Sequence, residues 1–213
     1  MKRTLLFLFI IAFAYVSKAQ SSQERFSIGV KGGYTSTRFD LDNYEQRFMQ
    51  VDDRNYKSGF LAGMYTRVTI FKGLSFQPEF YYASKKGEIS ISSVNNELTF
   101  PDTSFVTSVK SFDLPLLVRL RLLNFDVGNI YAIGGPVVSF TKEGSADPDL
   151  MEYEFNKSNW TMMVGGGVEF WRVFVDARYE WSLSNSAASK SPDLGEMFYN
   201  MLTVSVGFKI FGI

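Results

Sequence analysis

The 213 residues of the sequence include no cysteine and no histidine. Without cysteine, the chain can form neither a disulfide nor a thiolate metal site. Without histidine it lacks the commonest general base and the usual imidazole ligand, which excludes His-based catalytic triads and dyads. Basic and acidic residues number 22 each, so the basic excess that indicates nucleic-acid binding is also absent. We therefore predict no cofactor, no metal site and no nucleic-acid partner.

Long apolar runs are scarce as well. The one clear run spans residues 5–16; Met1-Lys2-Arg3 precedes it and Ser17-Lys18-Ala19 follows it. Such a run is too short to cross a hydrocarbon core as a helix, which takes about 20 residues. A basic start, a short apolar run and a small-residue cleavage site are typical of a secretory signal peptide. We predict a signal peptide over 1–19 and one exported domain over 20–213, with an uncleaved anchor as the alternative.

Aromatic residues are the chain's main excess, with 21 Phe, 11 Tyr and 3 Trp. They lie in segments where apolar and polar residues alternate, and alternation of period two predicts strands with two unlike faces. In segment 110–122, one face carries Phe112, Leu114, Leu116, Val118, Leu120 and Leu122. Eight such segments occur, at about 26–37, 58–71, 74–86, 106–122, 127–140, 158–170, 172–184 and 200–211. The facing of the fifth, glycine-rich segment stays open.

Tight and long connections alternate along the chain. The tight ones lie at 72–73, 123–126 and 171–172, and the long polar ones at 38–57, 87–105, 141–157 and 185–199. Strict alternation of this kind is typical of an up-and-down barrel whose two termini lie on the short-turn side.

The distribution of charge distinguishes a membrane barrel from a water-soluble one. A membrane barrel presents apolar residues to lipid and polar ones to its lumen, and here the apolar faces are uniformly large while the polar faces carry charges in mid-strand. The prediction is an all-β, eight-stranded antiparallel up-and-down transmembrane β-barrel. Its predicted lumen network, which we assign a structural role, comprises Lys31, Arg67, Glu79, Asp113, Arg119, Arg121, Glu169, Asp176, Arg178, Glu180 and Lys209. Lys85 and Arg172 lie on the same polar faces.

The aromatic residues cluster near the predicted strand ends, as expected for girdles at the two membrane interfaces. The alternative is the ordinary preference of aromatic residues for strands. Two prolines, Pro115 and Pro136, fall inside predicted strands, where a missing N–H should interrupt the hydrogen-bond ladder. Bulges or strand ends are the candidate explanations.

Three motifs occur in order along the chain: Ser27-Ile28-Gly29-Val30-Lys31-Gly32-Gly33-Tyr34, Phe112-Asp113-Leu114-Pro115-Leu116-Leu117-Val118-Arg119 and Tyr131-Ala132-Ile133-Gly134-Gly135-Pro136. With them the chain resembles the outer-membrane β-barrel family of Bacteroidota that includes PorT-like proteins. The resemblance implies location in the outer membrane of a Gram-negative bacterium. It implies no single activity, although PorT itself is tied to a type IX protein secretion pathway. The implied partners are outer-membrane lipid and lipopolysaccharide, the barrel-assembly machinery, and envelope or secretion-complex proteins.

Eight strands leave an interior that side chains just fill, which favours a structural or interaction role over a wide channel or an enzyme. A narrow-lumen transporter or small-ligand binder is the alternative. A His-free enzyme ranks last: Asp176 and Glu180 share a strand face and paired carboxylates can divide acid and base roles, but neighbouring arginines favour an ion network. Asp40, Asp42 and Asp52 in the first long connection lack the glycine and distal glutamate of a calcium loop.

Overall fold

The computed structural model describes residues 24–42, 49–93, 103–145, 153–155, 158–183, 187–189 and 196–213. The predicted signal peptide and parts of the long connections lie outside these ranges. The described strands are β1 (Phe26–Asp42), β2 (Met49–Phe71), β3 (Leu74–Ser93), β4 (Thr103–Phe125), β5 (Gly128–Ser145), β6 (Tyr153–Phe155), β7 (Ser158–Phe170), β8 (Val173–Ser182), β9 (Ala187–Ser189) and β10 (Glu196–Gly212). Within the described ranges, no helix is long and apolar enough to cross a membrane.

The eight long strands form one closed antiparallel barrel. Each pairs with the next long strand along the chain, and β1 pairs with β10 to close the sheet. The two three-residue strands, β6 and β9, pair with each other, and β9 also pairs with β10. The predicted eight-stranded up-and-down barrel is confirmed.

The register of the strands determines their tilt. We followed the paired residues from strand to strand, starting at Phe26 of β1. After one full circuit of the barrel the pairing returns to β1 at Ser36, so the stagger around the barrel is ten residues. With about 3.3 Å per residue and about 4.8 Å between strands, this stagger corresponds to a tilt of about 40°. Each residue of a strand therefore rises about 2.5 Å along the barrel axis.

The strand ends differ from the sequence prediction on the long-loop side. The short turns lie at Lys72–Gly73, Asp126–Val127 and Trp171–Arg172, so the second begins three residues later than predicted. Much of the predicted connections 38–57 and 87–105 is strand. Those boundaries were wrong because a polar composition does not end a strand, and backbone pairing continues through both stretches.

The fifth long strand, β5, has one constant facing. Asn129, Tyr131, Ile133, Val137 and Ser139 are buried inside the barrel, which resolves the facing that the sequence left open.

At Gly135 the strands approach so closely that a Cβ atom would lie 2.3 Å from the carbonyl oxygen of Leu116 on the neighbouring strand. Only glycine fits at that position.

The two prolines lie inside their strands, away from any register shift. Pairing of β3 with β4 passes from Pro78 opposite Leu116 to Tyr81 opposite Asp113 without a change of register, so Pro115 lies between two regular stretches. Pro136 pairs with Met162 in an unshifted β5–β7 register. The explanations by bulges and strand ends were therefore wrong, and each proline removes only its own donor from a ladder that continues on both sides.

The outer face is apolar and carries aromatic residues at two levels. One band lies near the short turns and includes Phe71, Phe125, Phe170, Trp171 and Phe211; the other lies toward the long loops and includes Tyr34, Phe60, Phe112, Phe140 and Trp160. With about 2.5 Å of rise per residue, the two bands lie about 25 Å apart, the height of the apolar band of outer-membrane barrels.

Candidate functional site in the barrel interior

Most of the charged side chains that the structure describes on the strands lie in the barrel interior. Of the residues assigned to a lumen network from the sequence, the structure buries Lys31, Arg67, Glu79, Asp113, Arg119, Glu169, Asp176, Arg178 and Glu180. Arg121 and Lys209 are half-buried near the short-turn end, and Lys85 is buried. Arg172 instead lies exposed in a turn, so its assignment to the polar interior face was wrong.

A lower cluster lies next to the short turns and centres on Glu169. Its Oε2 atom accepts hydrogen bonds from Arg67 Nη1 at 2.8 Å and Arg119 Nη2 at 2.5 Å. Arg119 Nη2 also donates to Asn129 Oδ1 at 2.9 Å. Lys209 Nζ lies 3.8 Å from the other carboxylate oxygen of Glu169. One carboxylate thus faces three basic side chains.

A central cluster at mid-height is built around Arg178. Its guanidinium makes two hydrogen bonds to Glu79, at 2.8 and 2.9 Å, and two to Asp176, at 3.0 and 2.7 Å. Lys31 Nζ donates to Glu79 Oε2 at 3.0 Å, and Tyr131 donates to Asp176 at 3.1 Å. Two bases and two acids are balanced here, and bidentate pairing of this kind gives a specific geometry.

An upper cluster lies toward the long loops and centres on Lys85. Its Nζ atom lies 3.0 Å from Asp113 Oδ2 and 3.8 Å from Glu180 Oε1, and it donates to the Tyr199 hydroxyl at 2.7 Å. That hydroxyl and Thr161 Oγ1 donate to Glu180 Oε1 at 2.7 and 2.9 Å. Here two acids face one base.

Tyrosines connect these clusters, and the sequence did not identify them as partners. Tyr131 lies on the strand whose facing was open, and Tyr199 lies in a segment predicted as a connection. Neither stretch shows the alternation from which an inward position could have been predicted. The inward side of Lys85, in contrast, follows from the regular alternation of the preceding strand segment.

Aromatic rings fill the space beside inward-facing glycines. A Cβ atom at Gly207 would lie 2.0 Å from the ring of Phe174, and one at Gly63 would lie 2.4 Å from Tyr81 Cβ. At Gly167 a Cβ atom would lie 2.7 Å from the hydroxyl of Tyr131. Each of these aromatic residues is paired with its glycine on the neighbouring strand and packs over that glycine's bare backbone, which fills the interior at mid-height.

The short-turn end holds a large open cavity. A cavity of about 640 Å³ opens there beside the lower cluster, whereas a cavity beside Lys85 and Tyr199 measures only about 10 Å³. Between them, the side chains of Lys31, Glu79 and Arg178 are at most 1% exposed. The central cluster thus separates the two ends of the lumen.

The interior does not assemble the carboxylate pair considered from the sequence. Asp176 belongs to the central cluster and Glu180 to the upper one, and each contacts a base. Across the described ranges, no group of three or more acidic side chains could hold a metal ion. The side chains of Asp40, Asp42 and Asp52 lie outside the described residues.

Several solved structures of outer-membrane proteins are similar to this chain. OprG from Pseudomonas aeruginosa superimposes with a TM-score of 0.54 at 10% sequence identity, over 89% of this chain and 98% of that one. Ail from Yersinia pestis gives 0.44 at 14% identity, over 87% and 99%, and the protease OmpT from Escherichia coli gives 0.42 at 10% identity, over 91% and 99%. At such identities the likeness concerns the fold alone.

No curated protein sequence matches the chain. The family model described as "Outer membrane protein beta-barrel domain" matches residues 18–188, which is more than half of the sequence. The protein therefore belongs to this family of outer-membrane β-barrels.

Proposed function

We propose that this outer-membrane barrel is a non-enzymatic structural or accessory protein of the cell envelope, and that its long-loop end contacts partner proteins. The observation that carries the proposal is the closed middle of the interior: the central cluster and the rings beside it fill the lumen at mid-height. A side-chain-filled lumen serves rigidity better than diffusion, as expected for eight strands.

The central cluster is the main barrier to a transport role. A solute passing mid-height would have to separate Arg178 from both Glu79 and Asp176, which are fully buried with it. Breaking a buried ion pair while one partner stays in place costs about 3–5 kcal/mol. Two such pairs share this one guanidinium, so spontaneous opening would be rare.

The absence of an enzymatic role is supported by the pairing of the interior acids. Glu79, Asp176 and Glu169 each contact at least one arginine, and Glu180 lies beside Lys85. A carboxylate that already accepts charge-assisted hydrogen bonds from a basic side chain is not free to act on a substrate. With no histidine in the chain, the interior offers few groups for proton transfer.

A contact role is supported by the height of the wall on the long-loop side. Strands β1 to β5 continue about 12–28 Å beyond the upper aromatic band, by the rise of about 2.5 Å per residue, whereas β7 and β8 end near it. Paired strands outside the membrane form a rigid platform for a protein contact.

Support of protein secretion in the manner of PorT is the specific role we propose, on the three motifs that resemble that family. The test is deletion of the gene and comparison of the secreted proteins, with the wild-type gene returned on a plasmid as the control. We expect loss of secreted proteins that the plasmid restores. An unchanged set of secreted proteins would refute the secretion role.

The contact role has a separate test. The barrel, tagged at its C-terminus, is purified in mild detergent from its own cells and its co-purifying proteins are identified. We expect one or a few envelope proteins to co-purify with the barrel in a fixed ratio. These proteins should no longer co-purify when the segment 94–102 between β3 and β4 is replaced by a short turn. Recovery of the barrel alone would contradict the proposal.

A further inference from the structure

The cavity at the short-turn end has an unusual donor content. Its volume is about 640 Å³, and its inward-facing polar wall includes Ser27, Arg67, Thr69, Arg121, Asn129 and Lys209. The proposed structural role accounts for the closed middle of the barrel but not for this open, polar recess.

Two arginines of the lower cluster are incompletely paired. Arg67 donates through Nε to Gln77 and through Nη1 to Glu169, but its Nη2 atom is buried without a partner. Arg119, directly behind the cavity wall, has a buried Nη1 atom that also lacks a partner. The two side chains are only 9% and 4% exposed. A buried charged donor without an acceptor is unfavourable. A further hydrogen-bond acceptor at this site would therefore be stabilising.

The cavity and the arginine behind it carry a net charge of one positive unit. Arg67, Arg121 and Lys209 line it together with Glu24, Asp126 and Glu169, and Lys209 is bound to Glu24 at 2.8 Å. These six charges balance. Arg119, which shares Glu169 with Arg67, adds a positive charge that no described carboxylate of the lower cluster compensates.

We propose that this cavity binds a single oxyanion, a carboxylate or a phosphate group, through Arg67, whose buried Nη2 atom turns into the cavity to meet it, and through the ammonium of Lys209, which exchanges Glu24 for the anion. Guanidinium groups match the paired oxygens of both anions. Because short turns of outer-membrane barrels face the periplasm, the ligand enters from that side.

The test is isothermal titration calorimetry of the full barrel in nanodiscs of neutral lipid. Inorganic phosphate and acetate are titrated separately at constant ionic strength set with sodium chloride. Two variants remove a proposed contact, Arg67→Gln and Lys209→Gln. Arg172→Gln is the matched control, because it removes the same charge from the same rim, where Arg172 lies over the Trp171 ring at 5.6 Å and does not line the cavity.

We expect saturable binding of one anion per barrel, unchanged in Arg172→Gln and weakened at least tenfold in Arg67→Gln. If Arg67→Gln fails to fold, as judged by heat-modifiable migration in gels, Lys209→Gln decides, since its side chain is the more exposed of the two; we expect at least threefold weaker binding. Tighter binding of phosphate identifies a phosphate-bearing ligand, and tighter binding of acetate a carboxylate. No saturable binding, or equal affinity in the wild type and the folded cavity variants, would overturn the proposal.

Discussion

At the residue scale, the stability of the interior depends on a few side chains with several partners. Arg178 makes hydrogen bonds to two carboxylates, and Glu169 accepts hydrogen bonds from two arginines. Each of these residues is shared between strands that are far apart in the sequence. Removing one therefore leaves two buried charges without their partner, which is more unfavourable than the loss of a single pair.

The Arg178→Met variant tests this directly. It leaves Glu79 and Asp176 buried without their main partner, so we expect a loss of about 3–5 kcal/mol in the free energy of unfolding. Urea unfolding in detergent, followed by tryptophan fluorescence, measures it. Met64→Leu, at an exposed position on the outer face, is the control and should cost less than about 1.5 kcal/mol. A loss below about 1 kcal/mol in Arg178→Met would contradict the importance of the pairing.

Substitution of Gly207 tests how much close packing in the interior contributes to stability. A Cβ atom there would lie 2.0 Å from the Phe174 ring, so we expect Gly207→Ala to destabilise the barrel by about 1–3 kcal/mol. Adding Phe174→Leu should recover part of that loss. At Gly32 the nearest atom to a Cβ is 3.8 Å away, and Gly32→Ala is the matched control. Equal stability of the two alanine variants would argue against the close approach.

The inward side of most charged residues could be predicted from alternation, but their partners could not. Arg178 and Glu79 are 99 residues apart, and they meet only because of the ten-residue stagger of the barrel. That stagger depends on how all eight strands pair, which no local pattern encodes. For the same reason, the sequence did not reveal that Arg67 and Arg119 share Glu169.

At the element scale, the strands are longer than the apolar pattern. The outer row of large aromatic residues ends at the upper band, while β3 and β4 continue to pair beyond it, with Ile89 opposite Phe105 and Ile91 opposite Thr103. Turn residues mark two of the short connections, through Gly73 and Asp126, whereas Trp171–Arg172 carries none. On the long-loop side no such signal exists, and the strand ends there could not be predicted.

Hydrogen exchange tests the extension of these strands. Amides in residues 88–91 and 103–106 should be protected in detergent, because they lie in a paired ladder. Mass spectrometry of peptides from these ranges measures the protection, and residues 112–118 of the same sheet provide the fully protected reference. Complete exchange of 88–91 within seconds would show that this part is a loop, as the sequence pattern predicted.

At the scale of the whole molecule, the chain is a barrel whose outer surface is suited to lipid and whose interior is packed with ion pairs. Composition already excluded histidine and cysteine chemistry, and the aromatic excess corresponds to the two outer bands and the interior rings. What composition could not predict is the distribution of charge along the axis. The lower cluster has excess base, the central cluster is balanced and the upper cluster has excess acid.

Export of the whole chain is tested by the mass of the mature protein. We expect cleavage after Ala19, so the protein purified from outer membranes should begin at Gln20. Intact-mass spectrometry and N-terminal peptide mapping determine this. A protein that retains residues 1–19 would contradict the signal peptide and favour the uncleaved anchor.

The central claim is that side chains close the lumen, and single-channel recording in planar lipid bilayers tests it most directly. The wild-type barrel, shown to be folded by heat-modifiable migration, should give no steady conductance, because the Arg178 cluster blocks mid-height. The double variant Glu79→Ala and Arg178→Ala, which removes an acid and a base together, should give small, stable openings if it folds. Reproducible open-channel current from the wild-type protein would contradict the claim.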